Sequence, residues 1–405
     1  MLANPAWADI QAGVDAAKRG DYDTALKEFR PLAEQGEARA QYALGFMYQE
    51  GKGVLRDDTE AVKWYRLAAE QGHAPAQTRL GFMYFLGRVS QDVGGLGYPQ
   101  DVQEAVRLYR LAAEQGHARA QALLGSMYSA GLEGVLPQDT QEADRLYRLA
   151  AEQGYAPAQT FVGEMYRDGQ GVPQDYAEAV KWYRLAAEQG WARAQSSLGG
   201  MYDRGEGVLQ DSQEAVKWYR RAAEQGLASG QYGLGLMYHK GHGVPQDYQE
   251  AGRWYHRAAE QGNASAQNNL GVMYAEGQGV PQDYGEAVRL IRLAAEQGDA
   301  TAQYNLGLRY AEGQGVAQDY QEAVRWYRLA AEQGHASGQF SLGAMYTAGQ
   351  GVPKDYVLAH MWINLAAPKG VKGAVKARDL LEEMMTPAQL AEAQRLAREW
   401  KAKGE

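Results

Sequence analysis

Residues Ala177 to Gly190 read AEAVKWYRLAAEQG, and the closing Ala-Glu-Gln-Gly of this stretch returns along the whole chain. It closes at Gly36, Gly72, Gly116, Gly154, Gly190, Gly226, Gly262, Gly298 and Gly334, with a degraded copy, Ala-Pro-Lys-Gly, at Gly370. Successive glycines lie 36, 44 and 38 residues apart and then 36 apart six times. Self-similarity at such a period is the signature of stacked helical units, each too small to bury its own core. A chain of 405 residues would otherwise suggest roughly two or three globular domains. The period instead favours one elongated solenoid with no boundary inside the array.

Working outward from the quoted stretch, Ala179, Trp182, Tyr183, Ala186 and Ala187 recur at steps of three and four, which predicts one buried stripe on a helix B. Lys181, Arg184 and Glu188 then face water. The preceding loop, Gly169 to Asp175, reads GQGVPQD: glycines suited to positive φ, a proline that bars helix continuation and an aspartate that opens helix B. Asp175 and Glu178, with their copies in seven other units, have the spacing of a reciprocal capping box. Helix A carries Ala-x-Ala-Gln-x-x-Leu-Gly-x-Met-Tyr, as at Ala264 to Tyr274. A mid-helix glycine costs about 0.5–1 kcal/mol. Its return at Gly45, Gly163, Gly199 and equivalent positions predicts a helix-B aromatic ring resting on bare backbone.

The array divides into a tetratricopeptide-like N-terminal hairpin over residues 1–36, nine units (37–72, 73–116, 117–154, 155–190, 191–226, 227–262, 263–298, 299–334 and 335–370) and a helical cap over 371–405. Length changes fall in inter-helix loops: eight extra residues near Gly87 to Gly94 and two within Gly131 to Pro137. Thr386 to Gln389 reads as a capping box opening the last helix.

Net charge is -9 with a pI near 5.5, which argues against a nucleic-acid partner and makes a basic protein partner easier to accept. Cysteine is absent, so neither disulfides nor cysteine-ligated metal staples the fold. No apolar run reaches the roughly 18 residues of a membrane helix, so no membrane insertion is expected. Ala6-Trp7-Ala8 before Asp9 resembles the end of an export signal, though no basic and apolar leader precedes it. The expected location is periplasmic or secreted if that resemblance holds, and cytoplasmic otherwise.

The period, the Gly-x-Gly-Val-Pro-Gln-Asp loop and the Ala-Ala-Glu-Gln-Gly closure together resemble the Sel-one-like repeat (SLR) family, relatives of the tetratricopeptide repeats with a longer inter-helix loop. The resemblance covers residues 37 to 370. It implies an all-α solenoid, a right-handed superhelix of stacked antiparallel helix pairs, whose members act mostly as adaptors or scaffolds for other proteins, in bacteria often around the envelope, signalling or host contact. Departures include Arg309 in the methionine column, Leu108, Leu146 and Leu290 in the tryptophan column and Val162 before Gly163; all are expected to be repacking.

No chemistry stands out. The Gly-x-Gly loops lack the Gly-Lys-Ser/Thr ending of a phosphate cradle and follow a helix where a strand is required. His73, His117 and His335 share a column after the closing glycine and read as surface residues. His239, His242 and His256 have no further ligand fixed by spacing, so no metal and no cofactor is expected. Acidic pairs present in eight copies argue for capping, no serine nucleophile has a base at recognisable spacing, and no catalytic residue is expected.

If the constant columns pack, a protein or peptide partner is chosen by the variable columns of helix A. These are the residue after glutamine, the residue after Leu-Gly and the two after tyrosine, which share one helix face. The candidates are apolar and aromatic early in the chain (Tyr42, Phe46, Phe82, Phe85, Leu86), charged in the middle (Arg167, Asp168, Asp203, Arg204, His239, Lys240) and aromatic again at Tyr304 and Phe340. This points to a concave helix-A surface that binds a peptide or protein, with Phe46 and Phe82 as anchors. The alternative is a cell-wall or carbohydrate-binding module of the bacterial envelope. The burial expected of Trp64, Trp182, Trp218 and Trp254 counts against it.

Overall fold

In the computed structural model the described residues are 5–87 and 99–401, and side chains are described from Ile10 to Gly87 and from Asp101 onward. Most of the expected insertion near Gly87 to Gly94 lies outside them. The described residues form helices throughout, apart from loops and one isolated bridge between Leu132 and Leu136. An initial pair, Pro5–Lys18 and Tyr22–Glu34, precedes nine A/B pairs. The A helices are Ala38–Glu50, Ala74–Phe85, Ala118–Ala130, Ala156–Asp168, Ala192–Arg204, Ala228–Lys240, Ala264–Glu276, Ala300–Glu312 and Ala336–Ala348. Their B partners are Asp58–Glu70, Pro99–Glu114, Thr140–Glu152, Tyr176–Glu188, Ser212–Glu224, Tyr248–Glu260, Tyr284–Glu296, Tyr320–Glu332 and Tyr356–Ala366. Helices Ala374–Met384 and Pro387–Glu399 pack on the last B helix. The chain forms two compact bodies, Met1–Ala194 with Glu206–Val208, and Gln195–Gly205 with Leu209–Glu405.

The glycine column does what its recurrence predicts. A Cβ placed on Gly163 would lie 2.7 Å from the Tyr183 ring, and one on Gly45 2.8 Å from Tyr65. At Gly271 and Gly343 isoleucines, Ile291 and Ile363, replace the ring at 2.7 and 2.5 Å. Gly125 is looser, its nearest neighbour being the Ala143 carbonyl at 3.3 Å. The closing glycine also behaves as expected: Gly190 has φ +88° and its N–H donates to the Ala187 carbonyl.

The tyrosine column, more than the tryptophan column, carries the core. Tyr65, Tyr109, Tyr183 and Tyr255 are essentially fully buried, whereas Trp64, Trp182 and Trp254 are half-buried and Trp218, Trp326 and Trp362 keep a sliver of exposed edge. Consecutive residues point roughly 100° apart around a helix, so only one of the two can face the unit's own helix A squarely. Burial raises the hydroxyl pKa of Tyr183 above its ordinary value, which keeps it neutral.

The reciprocal capping box expected at helix B is half present. Asp175 Oδ1 accepts from the N–H groups of Ala177 and Glu178 at 2.9 and 3.0 Å. The Asp175 N–H, which a box would give to Glu178, donates instead to the Tyr166 carbonyl of helix A at 2.8 Å. Glu178 is released to pair with Lys181, as Glu142 does with Arg145 at 2.6 Å and Glu286 with Arg289 at 2.6 Å. The loop is thus closed by a backbone bond that removes the donor a box needs. The expected box at Thr386 and Gln389 is complete in both directions.

Candidate partner-binding surface

What is left for a partner depends on what packing consumes, and a glutamine ladder consumes much of it. Each helix-A glutamine is buried; Gln159 Nε2 donates to the Ala151 carbonyl of the preceding helix B at 3.1 Å. Its Oε1 accepts from Gln189 Nε2, the glutamine of the closing Ala-Glu-Gln-Gly, at 2.8 Å. The same pair of bonds recurs at Gln41, Gln77, Gln121, Gln231, Gln267 and Gln303. A second stitch joins helix B to the next helix A: Arg66, Arg148 and Arg292 donate to the hydroxyls of Tyr84, Tyr166 and Tyr310.

The column after the closing glycine was expected at the surface and is instead the N-cap of helix A. Glu37, Asn263 and Asp299 accept from backbone N–H groups three residues on, and His73 and His335 do so through Nδ1 at 3.3 and 3.1 Å. These rings are half-buried, and burial lowers their pKa below the usual histidine value. Glutamate, asparagine, aspartate and neutral imidazole all supply a capping acceptor here, whereas Tyr155 and Leu227 in the same column make no side-chain cap and His117 Nδ1 meets Thr78 Oγ1 at 2.9 Å instead.

The candidate residues separate accordingly. Tyr42 and Tyr304 are half-buried at the joints, their rings 5.2 and 5.1 Å from those of His73 and His335. Phe82 is half-buried against the cluster of Ala105, Val106 and Tyr109, and Phe340 shares a cluster with Tyr304. Phe46 is flanked by two cations, Lys52 Nζ at 5.1 Å and the Arg79 guanidinium at 5.4 Å from its ring centre. Phe85 and Leu86 are the most open, 43% and 42% exposed.

In the middle of the array Arg167 grips Asp168 with two bonds of 2.7 Å, and the neighbouring Glu164 is held by Arg193 of the next helix A at 2.9 Å. Lys240 and Arg204 are exposed and Asp203 is half-exposed. His239 is half-buried edge-on to Tyr248 at 5.2 Å. Among the described residues no group of histidines and carboxylates is placed to hold a metal.

With this geometry in view, the comparison with known families is decisive: the Sel1 repeat model matches residues 38–73, 74–117, 118–155, 156–191, 192–227, 228–263, 264–299, 300–335 and 336–371. The chain belongs to the Sel1 repeat family. Two solved structures are similar over most of its length. A protective antigen present in uropathogenic Escherichia coli strains, displaying an SLR fold, is 35% identical, with a TM-score of 0.48 over 98% of this chain and 91% of that one. A Sel1 repeat protein from Oxalobacter formigenes is 33% identical, with a TM-score of 0.53 over 84% and 93% respectively. None of the curated proteins matches. The Sel1 repeat fold is typically a non-catalytic scaffold for protein interaction, and among the described residues no helix is long and apolar enough to cross a membrane.

Proposed function

We propose that this Sel1 repeat protein is a non-enzymatic scaffold that captures a protein or peptide along its helix-A surface. The observation that carries the proposal is the division of labour among columns. Glutamine, alanine, glycine and tyrosine are spent on packing, while the first two units keep Phe85 and Leu86 exposed at the end of helix A and Phe46 half-exposed between Lys52 and Arg79. Aromatic anchors with flanking cations suit a peptide that offers apolar side chains and carboxylates. That chemistry shifts the expected partner segment from basic to locally acidic at this end of the array, whatever the net charge of the whole chain.

A photo-crosslinking amino acid at Phe85, compared with one at Arg184 on helix B, tests the placement in native extract. The proposal expects one discrete adduct from position 85 and none of the same mass from position 184. The reverse pattern would refute it. A carbohydrate-binding role has one feature in its favour, the indole of Trp191, 41% exposed. Retention on peptidoglycan that Trp191→Ala abolishes would favour that role.

A further inference from the structure

Three residues after the tryptophan column of helix B stands a second column, leucine in seven of the nine units and exposed at Leu67, Leu185 and Leu293. Only the fifth and sixth units depart, with Arg221 and Arg257 on helices Ser212–Glu224 and Tyr248–Glu260 of the second body. A cation in the last turn of a helix gains from the helix dipole. Seven B helices hold together with leucine at the same place, so neither packing nor helix stability requires these two arginines.

Each arginine lies by the indole of its own helix, the Arg221 guanidinium 4.5 Å from the ring centre of Trp218 and that of Arg257 4.7 Å from Trp254. Such contact restrains a planar guanidinium without using its N–H donors, and both side chains are exposed. Neighbouring cations are already engaged. Glu214 holds Lys217 and Glu250 holds Arg253, each at 2.5 Å, and Arg220 donates to the Tyr238 hydroxyl at 3.0 Å. His256 Nδ1 lies 3.6 Å from Glu260. Among the described residues neither Arg221 nor Arg257 has a carboxylate within ion-pair distance. Each lines a cavity. One of about 510 Å³ has Lys217, Arg220, Arg221 and Glu224 in its wall, and one of about 520 Å³ has Arg253, His256, Arg257 and Glu260, with Tyr274 and Val280 as its apolar side.

We infer that Arg221 and Arg257 anchor two carboxylates of an acidic segment of a partner protein, lying across these two B helices. A guanidinium forks onto a carboxylate with two parallel N–H···O bonds, and restraint by the indole reduces the ordering that binding must impose on the side chain. The two helices are joined through one intervening helix A, and at about 8–10 Å per helix contact they lie at most roughly 20 Å apart. An extended segment of about six residues covers that span. Carboxylates spaced in this way meet the two arginines and avoid Glu214, Glu224, Glu250 and Glu260 on the same helices. A nucleic-acid strand, with a phosphate at every nucleotide, would meet those carboxylates as well. The complementarity is local and opposite in sign to the net charge of -9. The strip belongs to helix B and does not depend on the helix-A surface proposed above.

Fluorescence anisotropy on the full chain tests this with a labelled peptide of repeated Glu-Gly-Ser-Gly, its Gln-Gly-Ser-Gly counterpart and a labelled oligodeoxythymidylate. The expected result is saturable binding of the glutamate peptide at low salt, none of the glutamine peptide and weaker binding of the oligonucleotide. Arg221→Leu/Arg257→Leu, which installs the residue of the other units, should raise the dissociation constant for the glutamate peptide about tenfold. Lys63→Gln/Lys181→Gln removes the same charge from cations held by Glu60 and Glu178 and should leave it unchanged. The inference is overturned if the glutamate peptide does not bind, if the leucine variant binds it as the natural chain does, or if the lysine variant weakens it equally. Tighter binding of the oligonucleotide, lost in the leucine variant, would overturn it too. The crosslink expected from position 85 is independent of all these outcomes.

Discussion

Gln189 Nε2 donates to Gln159 Oε1 at 2.8 Å across thirty residues of sequence, joining the end of one helix B to the buried start of its own helix A. Gln159 is 4% exposed and its Nε2 donates to the Ala151 carbonyl, so the amide is held from both neighbouring B helices. Replacing it with methionine removes both bonds, while the Ala151 carbonyl keeps the Gly154 N–H and Gln189 Nε2 keeps the Leu185 carbonyl, and the loss of two buried bonds should lower stability by about 1–3 kcal/mol. At the array's end Lys369 stands where the ladder needs glutamine; it donates to the Gly334 carbonyl, and Gln339 Oε1 has no partner. Gln339→Met should therefore cost less than Gln159→Met. Urea unfolding of the two variants checks the order.

The glycine column predicts a graded response. Gly163→Ala would force a methyl within 2.7 Å of the Tyr183 ring and should destabilise by about 1–3 kcal/mol. Gly125→Ala, with 3.3 Å to its nearest atom, should be neutral or stabilising, because alanine recovers about 0.5–1 kcal/mol of helix propensity. The thermal midpoint should fall for Gly163→Ala and be unchanged or raised for Gly125→Ala.

One-sided capping separates two substitutions three residues apart. Asp175→Ala removes the acceptor for Ala177 and Glu178 and should cost about 1 kcal/mol. Glu178→Ala loses only an exposed ion pair to Lys181 and should cost about 0.5 kcal/mol or less. A reciprocal box would make both losses comparable, and chemical denaturation measures the difference.

Two imidazole caps give the fold a pH dependence. His73 and His335 need a bare Nδ1 to accept from Ala76 and Gly338, and burial holds their pKa below the ordinary histidine value of about 6.5. The unfolded chain then binds protons first, so stability is full above pH 6.5 and falls as pH drops through the depressed folded values. His73→Asn/His335→Asn keeps the acceptor, as Asn263 does at 2.8 Å, and removes the titration. The difference in unfolding midpoint between this variant and the natural chain should grow as pH is lowered.

Period, helix pairs, loop glycines and the glycine–aromatic contact were legible in the chain because each is a local pattern or a column with one residue type. The glutamine ladder was not, since both partners looked like ordinary polar residues and their bonds span thirty positions. Helix-A capping was hidden for the opposite reason: Glu37, His73, Asn263 and Asp299 share a task and no chemistry beyond an acceptor atom. Periodicity could place Trp182 and Tyr183 on one stripe but could not rank them, because depth depends on which helix each meets. Of the candidate surface, Tyr42 and Tyr304 lie at joints between units, and only the packed structure distinguishes such rings from Phe85 and Leu86.

The central claim is that the constant columns pack and the accessible helix-A residues bind. Its most direct measurement is the affinity of Phe46→Ala/Phe85→Ala for the partner crosslinked at position 85, alongside its thermal midpoint. The account predicts a dissociation constant raised by about tenfold or more with a cooperative, folded chain. An unchanged dissociation constant in a folded variant would contradict it.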